Sequence, residues 1–445
     1  MADTSDLDAR LAALTPEEYA RGFDRFRARL RDAEAAYLQT CVHCGLCAES
    51  CHYYLTDREA ESIPAHKLET VAAVYRGQAT AAGRWLPGLV GAKRFDRETA
   101  RQWIESLFGR CSLCGRCSLN CTTGIHLATV LRAARGTLTE MGLIPPDLQA
   151  TVTTALETGN NMGISKEDWL ETLSWIEEEL QNELADPSAR IPVDREGARV
   201  LFTVNPREPK FFPLTLSASA KIFHAAGEDW TVASEGWDLT NYGLFSGHTA
   251  EAGAIAENLL RSMERLRCRQ LVIGECGHGF GAARWEAAEW LGRNPGVEIV
   301  SFLDVMDGYL ADGRIRLDPA KNPEPLTLHD PCNLVRSGGV IEPQRVLLRA
   351  AATGFVEMTP NREENFCCGG GGGQLSMSRY RDRRLKAGGV KAEQIRRTGA
   401  KTVVAPCHNC IDQLMELNKE YKLGARIRTV AEVVADALVL PPASR

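Results

Sequence analysis

The chain has 445 residues, enough for two or three domains with a large core. Apolar residues make up 44 % and charged residues 25 %, which is ordinary for a globular protein, and a net charge of −6 leaves no electrostatic footprint for nucleic acid. No run of eighteen apolar residues occurs, so no helix is expected to span a bilayer, and the polar, acidic stretch 1–10 does not read as a signal peptide.

There are fifteen cysteines, and thirteen of them fall in three tight groups. A secreted disulfide scaffold would be shorter and denser in cysteine. The grouping points to metal binding in a reducing cytoplasm.

Residues 1–40 are expected to be helical. Leu7, Leu11 and Leu14, then Tyr19, Phe23, Phe26 and Leu30, recur at helical spacing, and Pro16 suits a helix start. Such amphipathic helices pack on a core or dock a partner. Next come Cys41, Cys44, Cys47 and Cys51 at C-x2-C-x2-C-x3-C, and the same spacing returns at Cys111, Cys114, Cys117 and Cys121. This is the bacterial ferredoxin run, and two copies imply two cubane [4Fe–4S] clusters. The fourth cysteine of each run ligates the other cluster in that pattern. One cubane is therefore expected on Cys41, Cys44, Cys47 and Cys121, the other on Cys111, Cys114, Cys117 and Cys51. The usual proline after the fourth cysteine is replaced by His52 and Thr122.

Between the runs, 58–76 is expected to be helical. The apolar loop 84–91 (RWLPGLVG) then precedes Lys93 and Arg94. An apolar loop flanked by cations suits a membrane surface or a membrane partner; the alternative is a loop folded into its own core. Helices are expected at 97–109, 124–141 and within 150–184, where Trp169, Leu173, Ile176 and Leu180 share a face. Residues 185–197 (ADPSARIPVDREG) read as a linker.

Beyond it, short β runs alternate with helices, an α/β signature. Strands are expected at 199–204, 230–234, 270–275, 297–302, 326–330, 355–359, 402–405 and 426–430. This region holds Cys332, the pair Cys367-Cys368 followed by five glycines (Gly369 to Gly373), then Cys407 and Cys410. Five thiolates are more than a tetrahedral zinc site uses, so an iron–sulfur cluster of unusual shape fits better. Glycine lets the backbone approach a bulky cluster, and successive N–H groups there form a nest for anionic sulfur. A phosphate cradle would need Lys and Ser/Thr after the glycines, where Gln374 stands.

The eight strands fall into two sets of four. LFTVNP resembles LTLHDPC, NYG at Asn241 aligns with CCG at Cys367, and LVIGECGHG aligns with VVAPCHNC. The steps are 36 and 35 residues in the first copy, against 35 and 40 in the second, an internal duplication. Where the second copy has five cysteines, the first has Asn205, Asn241, Tyr242, Cys276 and Gly279. The first half therefore cannot hold the same cluster. With pseudo-twofold packing, Cys276 and His278 would sit beside the site of the other half.

Two ferredoxin runs followed by a duplicated domain with CCG are similar to the CCG-domain iron–sulfur proteins, in the order of the HdrD-type proteins of heterodisulfide reductase. The lost first CCG motif and the ECGHG and CHNC turns resemble the DsrK branch most. The resemblance implies an α + α/β chain: a helical two-cluster ferredoxin domain (1–184), a linker (185–198), then a duplicated HdrB-like CCG domain with pseudo-twofold halves, degenerate over 199–322 and cluster-bearing over 323–445. It implies a noncubane [4Fe–4S] cluster on Cys332, Cys367, Cys368, Cys407 and Cys410, with Gly369, Gly370 and Gly371 lining it. His329 and His408 are expected to tune that cluster by hydrogen bonds. The implied partner is a b-type cytochrome membrane subunit. The implied substrate is a disulfide or trisulfide such as a DsrC-like sulfur carrier, and related proteins serve hydrogenases. This places the chain in the cytoplasm, on the inner face of the cytoplasmic membrane. In that setting His278 is the expected proton donor and Cys276 a site for a mixed disulfide. Two other readings are an electron conduit without a substrate and the iron–sulfur subunit of a glycolate or lactate oxidase. Cys268 reads as a buried free thiol. No dinucleotide fingerprint occurs, so any flavin belongs to a partner.

Overall fold

The computed structural model describes residues 4–440; the first three residues of the acidic opening stretch and 441–445 lie outside the described residues. The chain divides into two compact units. One comprises 1–150, 242–249 and 366–391, the other 151–241, 250–365 and 392–445.

The first unit is helical. The expected pattern over its start resolves into Thr4–Ala13, Pro16–Arg29 and Asp32–Thr40. Pro16 occupies the first helical position, and Thr15 and Glu18 close a reciprocal capping box, the Glu18 carboxylate accepting the Thr15 N–H at 2.7 Å. Phe26 and Phe95 pack on the buried Trp103, with ring centroids 5.2 and 4.7 Å away. Trp103 ends the helix Arg97–Trp103, which runs on into a single π turn, Ile104–Phe108. Helices Pro64–Ala79 and Leu127–Glu140 complete the packing.

The apolar loop is exposed rather than folded inward. Trp85, Leu86 and Leu89 are 83 %, 56 % and 81 % exposed. The loop is nonetheless tied down: Arg76 donates from Nε to the Val90 carbonyl at 2.9 Å, and the Lys93 N–H reaches the Ala73 carbonyl at 2.9 Å. Among the described residues no helix is long and apolar enough to cross a membrane.

The second unit holds all eight expected strands. β1 (Val200–Thr203), β2 (Trp230–Thr231), β3 (Gln270–Ile273) and β4 (Glu298–Ser301) form one parallel sheet. β5 (Leu326–Leu328), β6 (Phe355–Glu357), β7 (Thr402–Val404) and β8 (Arg426–Arg428) form another. The strand orders are β2-β1-β3-β4 and β6-β5-β7-β8, so the second sheet repeats the first. Short parallel strands, buried at the centre of each sheet (β1, β5 and β7) and part-exposed at the edges β6 and β8, are what the apolar runs predict. One hydrophobic core runs through both sheets, from Trp169 to Leu438. Helix Lys166–Leu184 belongs to this unit: Trp169 stacks on Trp237 at 4.3 Å and donates its indole N–H to the Ala233 carbonyl. The stretch expected as a linker lies along the same unit, with Val193 bridged in parallel to Val232.

In such sheets the strand order reverses between the two central strands, and chemistry collects beyond their carboxyl ends. Cys276 follows β3, His329 and Cys332 follow β5, and Cys407 follows β7. The turn after β5 is anchored by Asp330, whose carboxylate takes a two-pronged bond from the fully buried Arg345 at 2.9 and 2.7 Å. Arg345 also reaches Glu357, the last residue of β6, at 2.9 Å. Breaking a buried pair strands a charge. Arg345→Met is therefore expected to cost about 3–5 kcal/mol, seen as a lower denaturant midpoint for the loss of helical and near-ultraviolet dichroism.

Candidate iron–sulfur sites

The two ferredoxin runs share one backbone. His43 and Gly45 in the first, and Leu113 and Gly115 in the second, take positive φ of 52°, 81°, 51° and 73°. Such φ values are costly for His and Leu, and their recurrence at matching positions marks a built turn. In the second run the turn aims the Leu113 N–H at the Cys111 sulfur, 3.4 Å away. Cys51 from the first run lines one cavity with Cys111, Cys114 and Cys117 from the second. Cys121 in turn lies close enough to Cys47 to act on it electrostatically, as do Cys41 and Cys44; burial pushes the Cys47 thiol up to about 11.

The residues around Cys51 and Cys111 suit an anionic group. Lys67 and Arg135 are 1 % and 0 % exposed, and among the described residues neither meets a carboxylate. Lys67 places Nζ 3.8 Å from the Cys51 sulfur and over the Tyr53 ring. Burying two such cations is expensive unless negative charge stands beside them. Thiolates of a bound iron–sulfur cluster would supply that charge. Neither cation was singled out from the sequence. The available signal was a lone charge on an apolar helix face, Lys67 among Pro64, Leu68 and Val71, and Arg135 among Leu131, Ala134 and Leu138.

The segment 366–391, with Cys367 and Cys368, belongs to the helical unit. Cys367 hydrogen-bonds the Cys114 thiol and pushes it up. The Gly369 N–H points at the Cys367 sulfur, 3.3 Å away, and Gly370 is buried beside it while Gly371 is half-buried. Gly372 has φ +64°, and a Cβ there would meet the backbone of Ser112 at 2.5 Å. That glycine is demanded by the close approach of the CCG turn to the second cysteine run. Arg135 donates to the Gly372 carbonyl at 2.8 Å, and Gln374 donates to the carbonyls of Phe108 and Cys111.

Cys332, Cys407 and Cys410 belong to the second unit, and all three are buried. A ring nitrogen of His329 and the Cys410 sulfur lie within 4.8 Å of each other. Asn365, two residues before Cys367, donates to the Asp330 carbonyl at 2.7 Å and lies 3.4 Å from His329 Nδ1. Cys407 caps helix His408–Glu420, whose amino end favours thiolate.

The turn of the first half packs against this one. Cys276 hydrogen-bonds Cys407 and, with Cys410, holds the Cys407 thiol well below its usual value. Burial and that same bond hold Cys276 well above. His278 Nδ1 lies 3.2 Å from the Cys276 sulfur, and burial drives this imidazole down to about 4. The Glu275 carbonyl accepts the His408 N–H at 3.1 Å, while its carboxylate accepts the Val430 N–H at 2.9 Å. His408 Nε2 meets Glu208 at 3.3 Å. Burial alone would lower this histidine, but the Glu208 carboxylate raises it. Arg207 pairs with Asp412 at 2.8 Å. Glu208, Arg207 and Glu275 escaped sequence reading because their partners lie about 155–205 residues away. Cys268 is buried outside these groups, and burial pushes its thiol up to about 11.

Residues 37–125 match the 4Fe-4S dicluster domain, and residues 326–415 match the cysteine-rich CCG domain. The chain is 27 % identical to the Hdr-like menaquinol oxidoreductase iron-sulfur subunit of Archaeoglobus profundus, over 94 % of this chain and 82 % of that protein. It is 23 % identical to the D subunit of the dihydromethanophenazine:CoB–CoM heterodisulfide reductase of Methanosarcina acetivorans, over 91 % of this chain and 94 % of that protein. It is also 22 % identical to the EtfAB:quinone oxidoreductase of Syntrophomonas wolfei, over 90 % of this chain and 58 % of that protein. A dicluster domain and a CCG domain in one chain, over these cysteines, make this an iron–sulfur oxidoreductase similar to the heterodisulfide reductase D subunits and the Hdr-like menaquinol oxidoreductase subunits.

Anaerobically prepared protein is expected to carry about twelve irons per chain. Cys51→Ala should perturb the same cluster signal as Cys111→Ala and leave the signal lost in Cys41→Ala intact, as read by low-temperature electron paramagnetic resonance (EPR).

Proposed function

We propose that this chain is the electron-transferring, substrate-reducing subunit of a quinone-linked membrane complex. Its substrate is a disulfide or trisulfide, of the kind a DsrC-like carrier would present. The nearness of the Cys114 and Cys367 sulfurs carries the reading, because it sets a ferredoxin run beside the CCG pair. The names of the relatives, menaquinol oxidoreductase and heterodisulfide reductase, support it.

Cys41, Cys44, Cys47 and Cys121 would hold one cubane, and Cys51, Cys111, Cys114 and Cys117 the other. Cys332, Cys367, Cys368, Cys407 and Cys410 would hold a noncubane [4Fe–4S] cluster, with Gly369, Gly370 and Gly371 leaving it room and turning N–H groups toward sulfur. Clusters bound there would supply one-electron transfer and, at the five-cysteine site, affinity for a substrate sulfur. His408, fixed by Glu208, and His329, beside Cys410, orient and tune that site.

Splitting an S–S bond takes two electrons and two protons and yields two thiols. Burial and its bond to Cys407 hold the Cys276 thiol well above its usual range. In the exchange its sulfur would join one half of the substrate as the substrate S–S bond breaks, and its proton would go to the leaving half. Two electrons with two protons would then split the mixed disulfide to two thiols. His278, whose Nδ1 lies 3.2 Å from the Cys276 sulfur, orients that sulfur and is the group beside it that could relay a proton. The exposed loop with Trp85 and Leu89, next to Lys93 and Arg94, is the surface offered to the membrane side, where a b-type cytochrome subunit would sit.

A disulfide or trisulfide added to the reduced chain should oxidise its EPR signals. Cys276→Ser should slow this by roughly a hundredfold at unchanged iron content. If no disulfide reoxidises the chain while a cytochrome or quinone analogue does, it is a conduit without its own substrate. Trp85→Ser combined with Leu89→Ser should weaken association with native membranes by about tenfold or more, measured by flotation.

A further inference from the structure

The two expected cubane sites differ in electrostatics. The set Cys41, Cys44, Cys47 and Cys121 reaches the surface at Cys44, and its polar neighbours are hydroxyls: Thr122 lies 3.8 Å from the Cys44 sulfur and Thr123 lies 3.3 Å from the Cys121 sulfur. The set Cys51, Cys111, Cys114 and Cys117 lines a cavity of half-buried thiols, with the buried Lys67 against the Cys51 sulfur and the buried Arg135 donating to the Cys111 carbonyl at 2.6 Å. Adding an electron to a buried anionic cluster raises its negative charge where solvent cannot screen it, which opposes reduction. A fixed cation at the ligand sulfur offsets this, and the offset is large because the local dielectric is low.

We propose that Lys67, backed by Arg135, sets the reduction potential of the inner cubane and holds it high enough to accept an electron. Lys67 acts through the Cys51 sulfur and is a positioning residue for charge. Arg135 is tied to four backbone carbonyls and serves structure as well, so Lys67 is the adjustable member of the pair. Lys67 has few ties: the Cys51 sulfur, the Arg110 carbonyl and the Tyr53 ring. An ammonium held by one sulfur and one carbonyl, with no carboxylate beside it among the described residues, would turn its charge toward a cluster bound there. Because Cys114 of this set bonds Cys367, the tuned relay is the one next to the CCG pair.

The inference rests on the cubane assignment above, and the experiment separates the two. The full chain is titrated with reductant anaerobically and followed by EPR. In Lys67→Met, one cubane signal is expected to titrate at a more negative potential and the other at its original one. Lys67→Arg, which keeps the charge, should return most of the shift. Two unshifted cubane signals in Lys67→Met, or a shift as large in Lys67→Arg, would overturn the role of Lys67 while leaving the clusters in place. Unmodified protein with fewer than two cubane signals would instead sink the assignment. Should Lys67→Met fail to assemble, unmodified protein labelled with nitrogen-15 lysine is expected to show one lysine nitrogen coupled to the inner reduced cluster by electron spin-echo modulation. The absence of that coupling would also overturn the proposal.

Discussion

The helical unit depends on one guanidinium. Arg135 lies fully buried and donates to the carbonyls of Leu107, Cys111, Phe245 and Gly372. These four carbonyls come from a π turn, a cysteine run, a short insert of the degenerate half and the CCG turn. Buried carbonyls of this kind need donors, and that of Cys111 has a second one, from Gln374. Only arginine offers five donors in a planar fork, so lysine could not serve all four. Among the described residues its charge has no carboxylate counterpart, and burial lowers it to about 10. The same residue therefore gathers the segments that carry thiols and calls for the negative charge those thiols bring.

Duplication explains the second unit, and its asymmetry explains the site. Both sheets have the same order and present their turns beyond the same central strands. The first half lacks most of the thiols of the second, yet its ECGHG turn holds a structural position. Glu275 caps the helix Val430–Ala437 of the other half, and Cys276 bonds Cys407. Gly277 lies so close to Leu334 that a Cβ would fall 2.7 Å from its backbone nitrogen. Close packing of the halves gives the degenerate copy control over the hydrogen bonding and exposure of the Cys407 thiol.

The helical unit shows the same division of labour. Repeated turns with positive φ aim backbone N–H groups at sulfur, while long-range contacts decide which run meets which. Gly372 illustrates how one residue type serves two ends. Its place in a five-glycine run suggests room for a cluster, and its neighbour in space is the Ser112 backbone.

The sequence alone determined the strands, the two cysteine runs, the duplication and the loss of the first CCG motif. These are local periodicities and spacings, and a strand or a C-x-x-C turn is specified by its own few residues. Helix ends such as the one at Pro16 were legible for the same reason. The tertiary structure decided that the CCG segment 366–391 packs within the helical unit, that helix Lys166–Leu184 belongs with the sheets, and that Lys67, Arg135, Glu208 and Glu275 stand beside the cysteine-bearing turns. Those outcomes turn on which buried charge meets which distant carbonyl or thiol. No local pattern encodes that choice, because the energy that makes it exists only once the segments have met.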